Sequence, residues 1–291
     1  MRQTLLFALI IALNASCCDI CVSYFGFNPN FYQNRIGINY SYLSSVGAHT
    51  HTNEAIAHGH ENNDIEVFTR YELDGLFFLG NGDQIIFKVP FVDNYSLMNQ
   101  LKGNRNIGLG DPLFIYQKEL KVFNDSINKY RWYLGIGAEL PLGSFDINFV
   151  DPRMELGSGS IDAIITSSLL IKQNWYGASI NGIYKYNTNN ASQYQFGQQV
   201  NLSADIFIYT NQDYYIPYLG VFQEYGLRDR YQNEVQDNTG GQIHYLNFGH
   251  QFFYKNLSIN YVLQTPIYQR LNGHQATSNF KHIINLYYYL N

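Results

Sequence analysis

The chain has 291 residues, 18 of them Lys or Arg and 23 Asp or Glu, for a formal net charge of −5. No basic stripe accompanies that modest charge, so nucleic acid is excluded as an expected partner. Charged residues are only 14% of the chain, against about 25% in ordinary globular proteins, while aromatics reach 16% with 26 Tyr and 20 Phe, a balance poor for a water-soluble surface.

Residues 1–16 read as a cleaved export signal, with Arg2 as the positive start, Leu5 to Leu13 as the apolar core and Asn14-Ala15-Ser16 as the small-residue exit. The stretch is too short to span a bilayer as a helix, and no later segment holds the ~20 uninterrupted apolar residues that a membrane helix needs. A membrane location must therefore be built from strands. The mean hydropathy of −0.23 suits an oily wall offset by a polar interior and polar loops.

Residues 17–30 are expected to form a short periplasmic segment carrying all three cysteines, Cys17, Cys18 and Cys21. Three readings stand side by side. Leu13-Asn-Ala-Ser-Cys17 is similar to a lipidation signal, with Asn14 where an aliphatic residue is expected, so that Cys17 or Cys18 carries a lipid. Alternatively Cys18 and Cys21 close a disulfide in an oxidising compartment, or serve as thiolate ligands for a soft metal.

From residue 31 onward the dominant signal is a period of two. In 130–140, Tyr130, Trp132, Leu134, Ile136, Ala138 and Leu140 share one face, and Arg131, Tyr133, Gly135, Gly137 and Glu139 the other, because successive side chains of a strand point to opposite sides. The beat recurs at Ile36, Ile38, Tyr40, Tyr42, at Ile85, Phe87, Val89, Phe91, and at Val200, Leu202, Ala204, Ile206, Ile208. Alternation bounded by turn residues predicts strands near 31–43, 64–78, 83–92, 111–120, 129–141, 160–172, 174–186, 198–209, 215–225, 241–254, 257–266 and 279–290. That is about twelve segments, near the 9 to 11 residues that a tilted membrane strand requires.

The connections alternate in length. Gly80-Asn81-Gly82, the reversal at Gln173, Asn211-Gln212-Asp213 and Lys255-Asn256 are tight, and 123–128 is only a little longer. Between them come long polar stretches at 44–63, 93–107, 143–159, 187–195, 227–240 and 268–277. A secreted sandwich would alternate too, but its loops need not sort by length and its outer face must be polar. Sorted loops, an oily face and an export signal together predict an all-β fold: one transmembrane antiparallel barrel of about twelve strands over 31–291, in an outer membrane, with both termini periplasmic. A monomer in contact with outer-membrane lipid is the default.

Three motifs carry a family resemblance. Gly108-Leu-Gly-Asp-Pro112, Gly135-Ile-Gly-Ala-Glu-Leu-Pro-Leu-Gly143 and Leu156-Gly-Ser-Gly-Ser-Ile-Asp162 resemble a Gram-negative barrel family grouped under meta-pathway phenol degradation. Cys18-Asp-Ile-Cys21, followed by Tyr24-Phe-Gly26 and Asn34-Arg-Ile-Gly37, is similar to a subgroup with an N-terminal C-D-x-C motif, although Val22-Ser23 stands where that subgroup adds a third Cys. The resemblance implies a barrel and transport of a small, hydrophobic or aromatic solute.

Several constellations could carry chemistry. His49, His51, His58 and His60 fall in the first long loop beside Glu54 and Glu61, and imidazoles at such spacing bind Zn²⁺ or Cu²⁺; the competing reading is a polar surface loop that is rich in His. No other cofactor is implied. Strand parity points Glu66, Arg70, Glu72, Lys88, Arg131, Glu139, Asp162, Lys172, Asn201 and Asp205 into the lumen. Such charges pair across a narrow barrel or line a wet path through it. Asp111 and Asp162, at Gly-rich strand entries, suit turn capping better than solute binding. Enzyme activity is not expected, since no nucleophile and base pair stands on any strand and His244, His250 and His282 lack an evident nucleophile partner. The expected function is therefore a channel or transporter for a small solute, with a metal-responsive surface protein and a structural barrel with a filled lumen as alternatives.

Overall fold

The computed structural model describes residues 33–47, 64–98, 101–125, 128–147, 152–210 and 214–290. The export signal, the three cysteines and the four loop histidines lie outside the described residues, as do 126–127 and 211–213 of two short connections.

The described chain is built from strands: β1 (Arg35–Gly47), β2 (Asp64–Phe78), β3 (Gln84–Met98), β4 (Leu101–Leu109), β5 (Leu113–Asn124), β6 (Asn128–Glu139), β7 (Asp162–Gln173), β8 (Tyr176–Tyr186), β9 (Tyr194–Gln195), β10 (Gln199–Ile208), β11 (Tyr215–Gly226), β12 (Arg230–Tyr231), β13 (Glu234–Val235), β14 (Gly241–Tyr254), β15 (Leu257–Leu271) and β16 (Thr277–Tyr289). The main sheet runs β2-β1-β16-β15-β14-β11-β10-β8-β7-β6-β5-β3-β4, and β2 also pairs with β3, which closes it into a ring. β4 and β5 pair with successive stretches of β3 and together fill one position, so the wall is a closed antiparallel barrel of twelve strands. Closure matters physically because around the ring it leaves no open sheet edge; β4, at the loop end, is the strand of this sheet that pairs on one side, with β3.

The first and last wall strands seal the ring. β1 pairs with β16 from Arg35↔Tyr289 to Val46↔Thr277 and with β2 from Arg35↔Leu76 to Gly47↔Asp64. Short reversals gather at one end, here the turn end, which also holds the start of β1 and the finish of β16. Asn81, Asn174 and Lys255 sit there at positive φ (66°, 46° and 53°), a conformation that the short polar side chain of Asn tolerates better than most. The longer connections gather at the loop end, where β9, β12 and β13 form a small separate sheet.

One connection departs from expectation. Residues 93–98 and 101–107 are strand: β3 continues to Met98, β4 begins at Leu101, and Arg105 forms a two-pronged ion pair with Asp93 at 2.8 and 2.7 Å. A strand that runs past an apolar belt into water is polar on both faces, so polarity there does not distinguish strand from loop. The strand predicted from 111 instead starts at Leu113. At Gly110-Asp111-Pro112 the ladder changes hands, with Gly110 N–H donating to Pro90 O (2.9 Å) and Leu140 N–H to Pro112 O (2.9 Å).

The burial of the wall is inverted relative to a soluble domain. In β6, Trp132, Leu134 and Ile136 are exposed, Ile136 at 66%, while Arg131, Tyr133 and Glu139 are buried. The same inversion holds for Ile38, Leu73, Ile165, Ile180, Leu202, Ile206, Leu219, Ile259 and Leu286, all exposed.

Inside, two apolar clusters fill much of the barrel. Phe207, Ile216, Tyr218, Phe222, Ile243, Tyr245, Val262 and Ile283 pack together on the β10–β16 side. Leu76, Ile86, Leu113, Ile115, Ile164 and Ile183 form a second group. Polar rows run between the strands in register: Glu72 opposes Asn39, Asn39 opposes Asn285, Asn285 opposes Asn260 and Asn260 opposes Gln251.

Candidate functional site in the barrel interior

Strand parity delivers charge to the interior, and each ion must find a partner there because desolvating it alone is costly. On β1–β3, Lys88 Nζ meets Glu72 Oε1 at 2.8 Å and Asp74 Oδ2 at 3.6 Å, Arg70 Nε meets Glu72 Oε2 at 3.2 Å, and Arg35 lies 3.7 Å from Asp74. Asn39 Nδ2 also donates to Glu72 (3.1 Å), and the Arg35 guanidinium stacks 3.9 Å from the Tyr287 ring centroid. On β6–β8, Lys185 Nζ lies 2.5 Å from Glu139 and 3.6 Å from Asp162. Lys281 faces Glu224 at 3.4 Å, and Arg131 faces Glu119 at 3.2 Å near the turn end.

The residues expected in the lumen are therefore placed as follows. Glu66, Arg70, Glu72, Lys88, Arg131, Glu139, Asp162, Asn201 and Asp205 are all buried. Lys172 is half-buried, its ammonium 3.5 Å from the Tyr209 ring centroid. They do not converge on one point. Glu72, Lys88 and Arg70 form one group, Glu139 and Asp162 sit opposite each other on β6 and β7 and share Lys185, Asp205 accepts from Asn247 Nδ2 (3.1 Å), and Glu66 pairs with a loop residue, Arg153 (3.0 Å).

That loop is the least expected part of the interior. Between β6 and β7 the segment from Pro152 turns inward across β1–β4 at the loop end. A single 3-10 turn, Pro152–Met154, sets Met154 between Leu43 and Phe68. Arg153 reaches Glu66, while Asn94 Nδ2 donates to the carbonyls of Met154 (3.3 Å) and Glu155 (3.4 Å). Asn106 Nδ2 donates to Glu155 Oε2 at 3.4 Å, and Asn190 Nδ2 donates to Ser158 O at 2.9 Å.

Asp111 anchors the segment. Its Oδ1 accepts Gly143 N–H at 2.7 Å, and its Oδ2 accepts Ser158 N–H at 2.6 Å and Ser158 Oγ at 3.2 Å. A Cβ on Gly157 would collide with that carboxylate, so only glycine lets the loop backbone approach so closely. The three motifs that carry the family resemblance thus meet in space as one clasp. Asp162 caps the same region, accepting from Ser160 Oγ (2.8 Å) and Thr188 N–H (2.9 Å).

Burial pushes the Glu155 carboxyl up to about 7, the nearby Asp146 charge adding to the rise and hydrogen bonds from the Asp146 backbone and Asn106 opposing it. Arg70 and Arg153, the latter paired with Glu66, line the same small space. A carboxyl whose folded pKa exceeds its unfolded value of 4.5 contributes stability that is full below 4.5 and lost as pH rises through about 7. Amide exchange of 152–158, corrected for intrinsic rates, should therefore be slower at pH 5.5 than at pH 8 by about an order of magnitude. Glu155→Gln should erase the difference; an unchanged pH dependence in that variant would refute the assignment.

A cavity of about 90 Å³ opens at the turn end beneath these layers. Arg35, Asp74, Arg131, Tyr133 and Ser179 supply its polar lining, and Leu76, Phe78 and Ile86 its apolar wall. A smaller space of about 20 Å³ lies between Arg70, Asn94 and the inserted loop. Among the described residues no group of three or more His, Cys, Asp or Glu side chains could hold a metal ion. His250 and His282 are instead joined through Nδ1 to the hydroxyls of Tyr215 (2.7 Å) and Tyr261 (3.0 Å) on the outer surface.

Arg35, Asp74, Lys185, Glu224, Lys281 and the Asp111 clasp were not singled out as lumen residues from the sequence. Parity could have found Lys185 and Arg35, which share a face with Ile183 and Asn39. The clasp has no such signal, because it joins three segments far apart in the chain.

No family model matches the chain, and no protein of curated function matches it. Among solved structures, the COG4313 outer membrane channel from Pseudomonas putida F1 superposes with a TM-score of 0.68 at 12% identity, covering 91% of this chain and 100% of that one. The beta domain of the Bordetella autotransporter BrkA gives 0.44 at 10% identity over 89% of this chain and 100% of that one. A TodX monoaromatic hydrocarbon channel mutant gives 0.38 at 8% identity over 91% and 92%. At such identity the first of these similarities shows a shared barrel fold, and the other two are too distant to carry more.

Proposed function

We propose that this barrel is an outer-membrane channel for small solutes, with the segment 152–158 as the constriction of its path. The observation that carries the reading is the inverted wall: a closed ring with exposed Ile, Leu and aromatic residues outside and ion pairs inside, the arrangement that lipid on one side and a polar path on the other require. The superposed channel from Pseudomonas putida F1 supports it as a shared fold. Short turns in such barrels face the periplasm, which puts both ends of the wall on that side. A closed ring needs no partner to cover an edge, in keeping with a monomer. The motif resemblance favours a hydrophobic or aromatic solute.

A structural barrel with a filled interior is the second reading, favoured by the apolar cluster around Phe207, Tyr218 and Tyr245. Planar-bilayer recording of the purified protein separates the two. A channel should show small discrete current steps, and Asp111→Ala should raise the mean conductance several-fold by freeing the clasped loop. Folded protein that yields no steps in either form would leave the filled barrel standing.

A further inference from the structure

The geometry points to a binding site for a short-chain carboxylate in the turn-end cavity, with Arg35 as the residue that receives the anion. The inference deepens the channel reading and rests on it only in that the anion reaches the cavity through the barrel. Several donors at this cavity are buried and unused. Arg35 is 3% exposed and its Nε and Nη1 have no hydrogen-bond partner, although the group as a whole is held by Asp74 and the Tyr287 ring. The Tyr133 hydroxyl and Ser179 Oγ, also buried, line the same cavity and likewise have none.

Buried polar groups without partners are uncommon and ask for one. Here two are guanidinium N–H groups and two are hydroxyls free to donate, against one acceptor, Asp74 Oδ1, which lies 3.7 Å from Arg35 and makes no hydrogen bond. The acceptor that satisfies such a set is anionic: Nε–H and Nη1–H lie on different edges of the guanidinium, so one carboxylate oxygen accepts from Arg35 while the second accepts from a hydroxyl of the lining, Tyr133 or Ser179. Asp74 is the one carboxylate in the lining, against the two guanidiniums of Arg35 and Arg131, the latter paired with Glu119. Beside Arg35 the lining is apolar, made by its cross-strand partner Leu76 with Ile86 and Phe78, and offers an alkyl tail a dry surface. A volume of about 90 Å³ suits a group on the order of three to six heavy atoms, which spans acetate to butyrate. Sulfate or phosphate would fill the polar end and leave the Leu76–Phe78 wall uncovered.

The test is calorimetric titration of the folded barrel in detergent with propionate and, in parallel, its neutral isostere propionamide. Propionate should bind saturably and at least about tenfold more tightly than propionamide. Tyr133→Phe and Ser179→Ala, which keep every ion pair, should each weaken propionate several-fold. The pair Arg35→Gln with Asp74→Asn removes the anion receptor without leaving Asp74 charged and alone; it should abolish the preference for propionate over propionamide. Equal affinity for the two ligands, or an undiminished preference in the double variant, would show the cavity to be a water pocket and overturn the proposal. Bilayer recording keeps this result apart from the channel reading. Steps that persist without any block by propionate count against the carboxylate site alone, whereas propionate binding without steps counts against the channel alone.

Discussion

Replacing Lys185 by Met should cost the barrel about 3–5 kcal/mol, the range for removing one partner of a buried ion pair. Lys185 is 1% exposed and lies between Glu139 and Asp162, themselves 3% and 0% exposed. The variant leaves two carboxylates facing each other across β6, β7 and β8 with no cation between them. Either they stay charged in a poorly solvated interior or one takes up a proton, and both outcomes tax the folded state. The urea midpoint of the folded-to-unfolded band shift on a gel reads the loss. Adding Glu139→Gln and Asp162→Asn to the same chain should restore most of it, because a neutral hydrogen-bonded cluster no longer needs a cation. A Lys185→Met protein as resistant as the parent would mean that this triad is already neutral or hydrated.

Ile136→Arg tests the opposite face of the same wall. Ile136 is 66% exposed at the middle of the oily side of β6. On a protein bathed in water an exposed Ile→Arg exchange falls within about 0.5 kcal/mol of neutral. On a lipid-facing wall the same exchange costs about 2–4 kcal/mol near the bilayer midplane and about 0–1 kcal/mol near its edges. Folding equilibria into phospholipid vesicles should therefore show a large loss for Ile136→Arg and a small one for Leu142→Arg, which lies past the loop end of β6 and is 67% exposed. Equal, small losses at both positions would remove the membrane from the account of this wall.

The wall was legible in the sequence because a closed barrel imposes one rule on every strand. Tyr130 to Leu140 and Val200 to Ile208 obey it residue by residue, and tight turns at Gly80–Gly82 and Lys255 mark where it restarts. The rule weakens wherever a strand leaves the apolar belt. The stretch 93–107 read as a loop because Asn, Gly, Lys and Arg break the alternation around Tyr95, Leu97 and Ile107, yet β3 and β4 pair there and Asp93 meets Arg105 across them. Interior packing was legible only as parity. Nothing local says that Met154 sits between Leu43 and Phe68, or that Asp111 reaches Ser158, since those contacts join residues dozens of positions apart. The Gly-rich motifs were visible as motifs; their meaning, a carboxylate held against a backbone that tolerates no Cβ, appears only in three dimensions.

The uneven filling of the barrel has a geometric consequence. With the Phe207–Tyr245–Ile283 cluster occupying the β10–β16 side and the turn-end cavity bounded by β1–β8, the described interior is packed asymmetrically about the barrel axis. On the proposed channel reading, a solute lodged in that cavity would touch charged side chains, Arg35 and Asp74, and hydrocarbon, Leu76, Phe78 and Ile86, at once. Such a mixed lining suits two-faced molecules better than fully hydrated ions of equal volume.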